Sequence, residues 1–151
     1  MGYIRDPAAI YEKSFAIIRS EADLSPLPAN AQDMAIRMIH ACGMTDIAGD
    51  LRISESFVDA AVAALAKPIL TDAELVRHGI IDKKLNIICA LNDPRARDIG
   101  IAERTTRSAA AVELWKPHLE GALVVIGNAP TALFALLEMI DWIVKNKGLS
   151  R

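Results

Sequence analysis

The chain has 151 residues, a formal net charge of −2 and 52% hydrophobic residues, with aromatics at only 5%. That length suits one ordinary domain and buries about 70% of the unfolded surface, so a core needs neither metal nor disulfide. A charged share of 24% excludes a disordered chain, and the mildly acidic pI near 5.9 argues against nucleic acid as the partner.

The pair Cys42 and Cys89 forms no disulfide framework, and the segment Met1–Asp6 lacks the apolar core of a signal peptide. The expected compartment is therefore the cytoplasm. The most apolar stretch, Ala129 to Val144, is interrupted by Glu138 and Asp141. Each acid costs ~2.5–3.5 kcal/mol at the centre of a membrane helix. The stretch is also shorter than the roughly 20 residues a span needs. It reads as a buried helix, with no membrane partner.

In chain order, Asp6-Pro7 caps and opens a helix running to about Glu21, with Ile10, Ile17 and Ile18 on its apolar side. The Ser25–Pro28 stretch is a linker. Asn30 is expected to cap a second helix that Gly43 stops. Leu51–Ile53 is a candidate short strand. Ser54 or Ser56 then caps an alanine-rich helix ended by Lys67-Pro68. Pro68–Thr71 reads as a buried strand, after which Asp72 is expected to cap a brief helix closed by Gly79. Leu85–Leu91 is a clear buried strand, followed by an irregular turn at Asp93-Pro94. Thr105 or Thr106 caps a helix reaching Leu119, disturbed by Pro117 and ended by Gly121. Ala122–Ile126 is the second clear strand, and Gly127–Pro130 turns into a last helix ending near Lys147-Gly148.

Strands alternating with helices predict an α/β fold, a mostly parallel sheet with helices on both faces, in a single domain over 1–151. Apolar runs without polar alternation suit strands covered on both sides. In such sheets ligands bind beyond the carboxyl ends of the strands. The turns at that edge are Thr71-Asp72, Asn92–Pro94 and Gly127-Asn128, where helix N-termini offer N–H groups to anions.

Histidine 40 is the first candidate for chemistry. On the helix 31–42, Met34, Ala35, Met38, Ile39 and Cys42 are expected on one face, with Asp33, Arg37 and His40 in a polar stripe. Arg37 and His40 are neighbours by spacing, and the helix C-terminus favours a protonated ring. A poised imidazole beside a guanidinium suits proton donation to an anionic substrate. The competing reading is a histidine that stabilises the helix end. Cys42 points away from His40, which argues against a Cys–His dyad, and Cys89 reads as core packing. His78 and His118 complete no ligand pattern, so no metal held by side chains is expected.

Thr105, Thr106, Arg107 and Ser108 join hydroxyls and a guanidinium to a helix start, a combination suited to a carboxylate or phosphate. An ordinary cap beside a solvated arginine is the alternative. The Gly127–Thr131 turn is neither GxGxxG nor a Walker loop. The last helix, 131–144, is apolar almost all round, which points to a subunit interface or to a core packed on two sides.

With these segments in view, the chain resembles the precorrin-8x methylmutase (precorrin isomerase) family. The resemblance runs from Tyr3 to about Met139. It is carried by AIYEKSFAIIRSEADL (9–24), MAIRMIHACGMTD (34–46), VDAAVAAL (58–65), PILTDAELVRHGI (68–80), TRSAAAVELW (106–115) and VVIGNAPTALFALLEMI (124–140). It implies an isomerase of cobalamin biosynthesis that moves a methyl group from C-11 to C-12 of precorrin-8x, giving hydrogenobyrinate, without a cofactor. The family's catalytic histidine falls on His40, which would protonate a ring nitrogen of the tetrapyrrole. Ser14 and Arg37 match substrate-binding positions, and Arg107, flanked by Thr106 and Ser108, matches the arginine of the family's TRSAAA segment. Asn128 lies in the matching GNAP turn and is carried with them. Relatives of this kind are homodimers, so a homo-oligomer is expected.

The resemblance also implies a longer chain. After the LLEM segment the family continues with a further strand and glycine-rich segments, whereas this sequence reads Asp141–Arg151. The family's Gly-Ala ahead of Pro68 is missing, Thr71 replaces a cysteine, and the segment around Leu85–Ile87 is shortened. The expectation is a shortened member lacking the family's C-terminal third. The alternative is a trimmed or engineered member that binds a corrinoid, or self-assembles, without turnover.

Overall fold

The structure, a computed structural model, describes residues 2–147 and divides into two compact units, Met1–Ala60 and Ala61–Arg151. The expected stop at Gly148 lies outside the described residues.

The first unit is helical. Helix α1, Pro7–Glu21, starts where the Asp6 carboxylate accepts the Ala9 N–H at 2.8 Å. A 3-10 turn, Ala29–Ala31, leads into α2, Gln32–Cys42, so Asn30 lies within the turn and caps nothing. Gly43 takes the left-handed φ of 73° that a helix stop requires, and its N–H donates to the Ile39 carbonyl. Helix α3, Ile47–Asp50, follows. Ile18, Ile36, Ile39 and Ala48 form this unit's core, with Phe15, Ala22, Leu24 and Ile47 packed on it. The buried face of α2 is thus Ala35, Ile36 and Ile39, while Met38 and Cys42 are exposed. The expected face was rotated: Ile36, not Met38, meets α1 and the core. Leu51–Ile53 forms no strand, and the one sheet among the described residues does not include it.

Helix α4, Phe57–Ala64, crosses the boundary between the units; the Ser54 and Ser56 carbonyls, not their hydroxyls, accept its first N–H groups. The second unit is built on β1 (Ile69–Thr71), β2 (Ile87–Cys89) and β3 (Leu123–Val125), in the order β2-β1-β3 with both pairings parallel. Ile69 stands opposite Ile87 and Leu123, and Thr71 opposite Cys89 and Val125. The central strand is buried throughout and the outer two are half-buried. Parallel neighbours demand crossovers. Helix α5 (Glu74–Gly79) links β1 to β2, and α6 (Pro94–Ala102) and α7 (Arg107–Glu113) link β2 to β3. Helix α8, Pro130–Lys147, follows β3. The result is a small parallel sheet flanked by helices, as the alternating pattern predicted.

Leu70, Ala96, Ala111, Val112, Trp115, Ala132, Leu136 and Met139 make the core. Alanines at 109–111 let α6, α7 and α8 approach closely, and Trp115 fills the space beneath them with its side chain fully buried.

Three local expectations change. Asp93 opens no irregular turn; its carboxylate accepts the Arg95 N–H and caps α6. The Arg95 guanidinium grips both carboxylate oxygens, at 3.0 and 2.7 Å. That side-chain pairing, helped by the backbone bond, lowers the Asp93 carboxyl from 3.8 to about 2. The cap is therefore fully ionised above the ordinary carboxylate range and is lost as pH falls through about 2. The α7 helix ends at Glu113, and a 3-10 turn at Lys116–His118 absorbs Pro117 before Gly121 turns the chain at φ 72°. Asp72 does not cap α5. Its carboxylate turns the other way, to the turn after β3.

Helix α8 buries Ala132, Leu136 and Met139 but exposes Leu133, Phe134, Leu137, Ile140 and Trp142. One side packs on α7 and the sheet core; the other leaves apolar side chains in solvent. No helix among the described residues is long and apolar enough to cross a membrane.

Candidate functional site

The site residues expected from sequence fall into two groups, one in each unit. In the first, α1 and α2 bring Ser14 and His40 together: Ser14 Oγ lies 2.7 Å from His40 Nδ1. Both helices supply this geometry for local reasons. Tyr11, Ser14 and Phe15 occupy one side of α1 by their three- and four-residue spacing. His40 sits in the last turn of α2, just before the Gly43 stop. The Tyr11 ring stands 4.8 Å from the imidazole, centroid to centroid, and the Phe15 ring meets it edge-on at 5.5 Å. The half-buried imidazole is therefore fixed by one hydrogen bond and two ring contacts.

With Nδ1 held by Ser14, Nε2 has no hydrogen-bond partner among the described residues. The ring lines a cleft of about 650 Å³ together with Tyr3, Lys13, Ser14, Glu21 and Thr45, among others. If the imidazole is protonated, both nitrogens carry hydrogen, Ser14 accepts from one, and the other is left to donate. Arg37 is exposed and its guanidinium lies over the Phe15 ring at 5.7 Å, outside the cleft lining. Arg37 thus reaches His40 through Phe15, without direct contact. Arg19 approaches the same ring at 5.9 Å and pairs with Asp33 at 3.0 Å.

In the second unit, Thr106 is the cap of α7. Its hydroxyl accepts the Ala109 N–H and shares a 2.8 Å hydrogen bond with the Thr131 hydroxyl on α8. The N-terminal ends of α7 and α8 are therefore joined through these two threonines. Arg107 is exposed with no ion pair among the described residues, and Ser108 is half-buried. Asn128 is exposed, with its backbone N–H given to Asp72.

The sequence reading missed Tyr11 and Phe15 as the walls around His40, although their i, i+4 spacing about Ser14 was visible. It also misassigned Asp72. A bond to residues more than fifty positions away carries no local signal. Cys42 and Cys89 are both free thiols. No group of three or more His, Cys, Asp or Glu side chains among the described residues is placed to hold a metal ion.

Comparison with known proteins places this geometry in a family. The sequence profile of precorrin-8X methylmutase matches residues 9–146. The chain is 51% identical over 144 residues to a precorrin-8X methylmutase of Sinorhizobium sp, covering 91% of this chain and 69% of that protein. It is 34% identical over 134 residues to the cobalt-precorrin-8 methylmutase of Methanothermobacter thermautotrophicus, covering 86% of this chain and 64% of that one. The solved structure of a precorrin-8x methylmutase from Thermus thermophilus superposes with a TM-score of 0.78 at 33% identity, over 89% of this chain and 69% of that one. Profile, sequence and fold agree over most of the chain, which belongs to the precorrin-8X methylmutase family of cobalamin-biosynthesis isomerases.

Proposed function

We propose that the chain binds precorrin-8x and shifts its methyl group from C-11 to C-12, with His40 as the proton donor. The observation that carries this reading is the Ser14–His40 bond at 2.7 Å, in a cleft of about 650 Å³, with Nε2 unengaged. The C-11–methyl bond breaks as the C-12–methyl bond forms. Substrate and product are isomers, so no oxidant, reductant or cofactor enters the balance. Nε2–H protonates a ring nitrogen and biases the conjugated system toward migration; the same nitrogen recovers the proton afterwards. Ser14 orients the ring, and Tyr11 and Phe15 hold its plane.

Binding is assigned to groups that suit a ligand rich in carboxylates. Arg107 supplies a guanidinium, which pairs with a carboxylate in two parallel bonds. Ser108 and Asn128 supply neutral donors, and Arg37 adds positive charge on α2. Thr106 is assigned a supporting role through its bond to Thr131. The chain is read as one isomerase domain, a reading supported by a family profile that matches residues 9–146 and so includes most of each unit. Identity of 51% and 50% to two precorrin-8X enzymes, against 34% to a cobalt-precorrin-8 enzyme, supports a cobalt-free substrate.

Titration with hydrogenobyrinic acid, followed by the corrin spectrum, tests the binding role. Saturable binding is expected, weakened about tenfold or more by Arg107→Ala, as loss of a charge-assisted pair implies. Unchanged affinity in that variant, or no binding, contradicts it.

A second feature concerns assembly. The exposed Phe134, Leu137 and Trp142 on α8, with relative exposures of 64%, 52% and 62%, favour self-association. Light scattering is expected to give at least twice the 16.3 kDa chain mass. A monodisperse species at the chain mass refutes this part.

A further inference from the structure

The strand order β2-β1-β3 reverses direction between β1 and β3, because the chain leaves β1 toward β2 and only later reaches the other side. The carboxyl ends of β1 and β3 therefore flank the crevice where open parallel sheets bind ligands. Asp72 spans it. Its side chain, 1% exposed, accepts three backbone N–H groups of the turn after β3: Gly127 at 3.0 Å on Oδ1, and Asn128 at 3.1 Å and Ala129 at 2.9 Å on Oδ2. No Lys, Arg or His among the described residues pairs with it. A buried carboxylate is costly unless fully hydrogen-bonded, and this one is compensated by the turn alone.

The turn is clamped from a second side. A Cβ at Gly127 would lie 2.2 Å from Val76 Cγ2 of α5, so backbone and helix are in direct contact. Between these restraints Asn128 keeps its carboxamide exposed and without a hydrogen-bond partner among the described residues. Without Asp72, successive N–H groups ahead of an 18-residue helix would be an attractive seat for a ligand carboxylate. With Asp72 in place that seat is filled, and its negative charge repels a second anion.

We propose that Asp72 is a positioning residue for corrinoid binding, which occupies the N–H groups of residues 127–129 and presents the Asn128 side chain to the ligand in their place. This rests on the functional reading above. At this turn the ligand meets a neutral amide, suited to a carbonyl, an amide or a ring nitrogen, while its carboxylates are directed elsewhere.

Nuclear magnetic resonance of the uniformly labelled chain tests it. In the hydrogenobyrinic acid titration, the Asn128 side-chain amide is expected to shift, with the backbone amides of 127–129 nearly unmoved. Asp72→Asn offers one carbonyl oxygen and turns an N–H₂ toward N–H donors. It is expected to weaken binding about tenfold, the scale of one or two lost hydrogen bonds. In an Asn128→Ala background the same change is expected to add almost nothing, because its effect runs through Asn128. Equal weakening in both backgrounds reduces Asp72 to a structural residue and overturns the proposal. So do backbone amide shifts at 127–129 as large as those of the side chain, a result that the wild-type chain supplies even if Asp72→Asn does not fold. Shifts at His40 with the Asn128 side chain unmoved overturn the positioning role alone. No shift anywhere overturns the functional reading, and the positioning role with it.

Discussion

Replacing His40 with alanine is expected to lower the rate of methyl migration by about 10²–10⁴-fold, the range for removal of a positioned general acid. Affinity for hydrogenobyrinic acid is expected to change far less, because the proton is needed in the migration and not in the bound product. The variant also removes the acceptor or donor of the Ser14 hydroxyl and the contacts to Tyr11 and Phe15. Its folding should survive, since the imidazole is only half-buried and Ile36 and Ile39 carry the core of α2. Ser14→Ala gives the graded companion. It keeps the acid but frees the ring, and should slow turnover by a smaller factor than His40→Ala. A single-turnover assay with precorrin-8x checks both; equal rates in His40→Ala and wild type would remove the imidazole from the chemistry.

The largest expected effect on stability lies at Trp115, in the other unit. Its side chain is fully buried among Leu70, Val112, Ala132 and Leu136. Trp115→Ala is expected to destabilise the fold by about 3–5 kcal/mol, the range for truncating a buried aromatic, read from denaturant unfolding. The indole carries a second lesson. Its Nε1–H is buried and finds no acceptor among the described residues. An orphaned buried donor costs about 1–3 kcal/mol. Trp115→Phe removes that donor and leaves a smaller cavity than alanine does, so the two terms oppose each other. The expected result is a loss clearly smaller than for Trp115→Ala. A phenylalanine variant as unstable as the alanine one would mean that the N–H is satisfied, the loss of its bond making up for the smaller cavity.

Much of the fold was legible because its signals are local. Asp6-Pro7 at the start of α1, Gly43 at the end of α2 and the apolar runs of β1, β2 and β3 each report their own neighbourhood. Failures arose where a residue answers to a distant partner or to competing local uses. Asp93 before Pro94 suits a turn and a helix cap equally, and the helix won because its first N–H groups had a carboxylate within reach. Leu51–Ile53 has strand composition but lies outside the one sheet among the described residues. Asp72 precedes a helix as caps do, yet serves a turn 55 to 57 positions later.

The candidate site shows the same division. His40 stood out as a candidate from its place at a helix end and took its proposed role from resemblance, whereas its partner Ser14 lies 26 residues away and emerged only from family resemblance. Spacing along α2 paired His40 with Arg37, but packing against α1 draws the guanidinium to the Phe15 ring instead. Thr106 was read as a contributor to an anion site; its hydroxyl is committed to capping α7 and to Thr131. That leaves Arg107 as the charged group of the TRSAAA segment available to ligand.

The chain spans 69% and 70% of the lengths of two precorrin-8X methylmutases that it matches at about half identity. Turnover by this chain is therefore the most direct test of the account. Purified protein mixed with excess precorrin-8x is expected to form hydrogenobyrinic acid over repeated turnovers, as followed by the change in corrin absorbance, and His40→Ala is expected to slow that conversion by about 10²–10⁴-fold. Binding of the corrinoid with no conversion by the wild-type chain, or conversion that persists undiminished in His40→Ala, would contradict it.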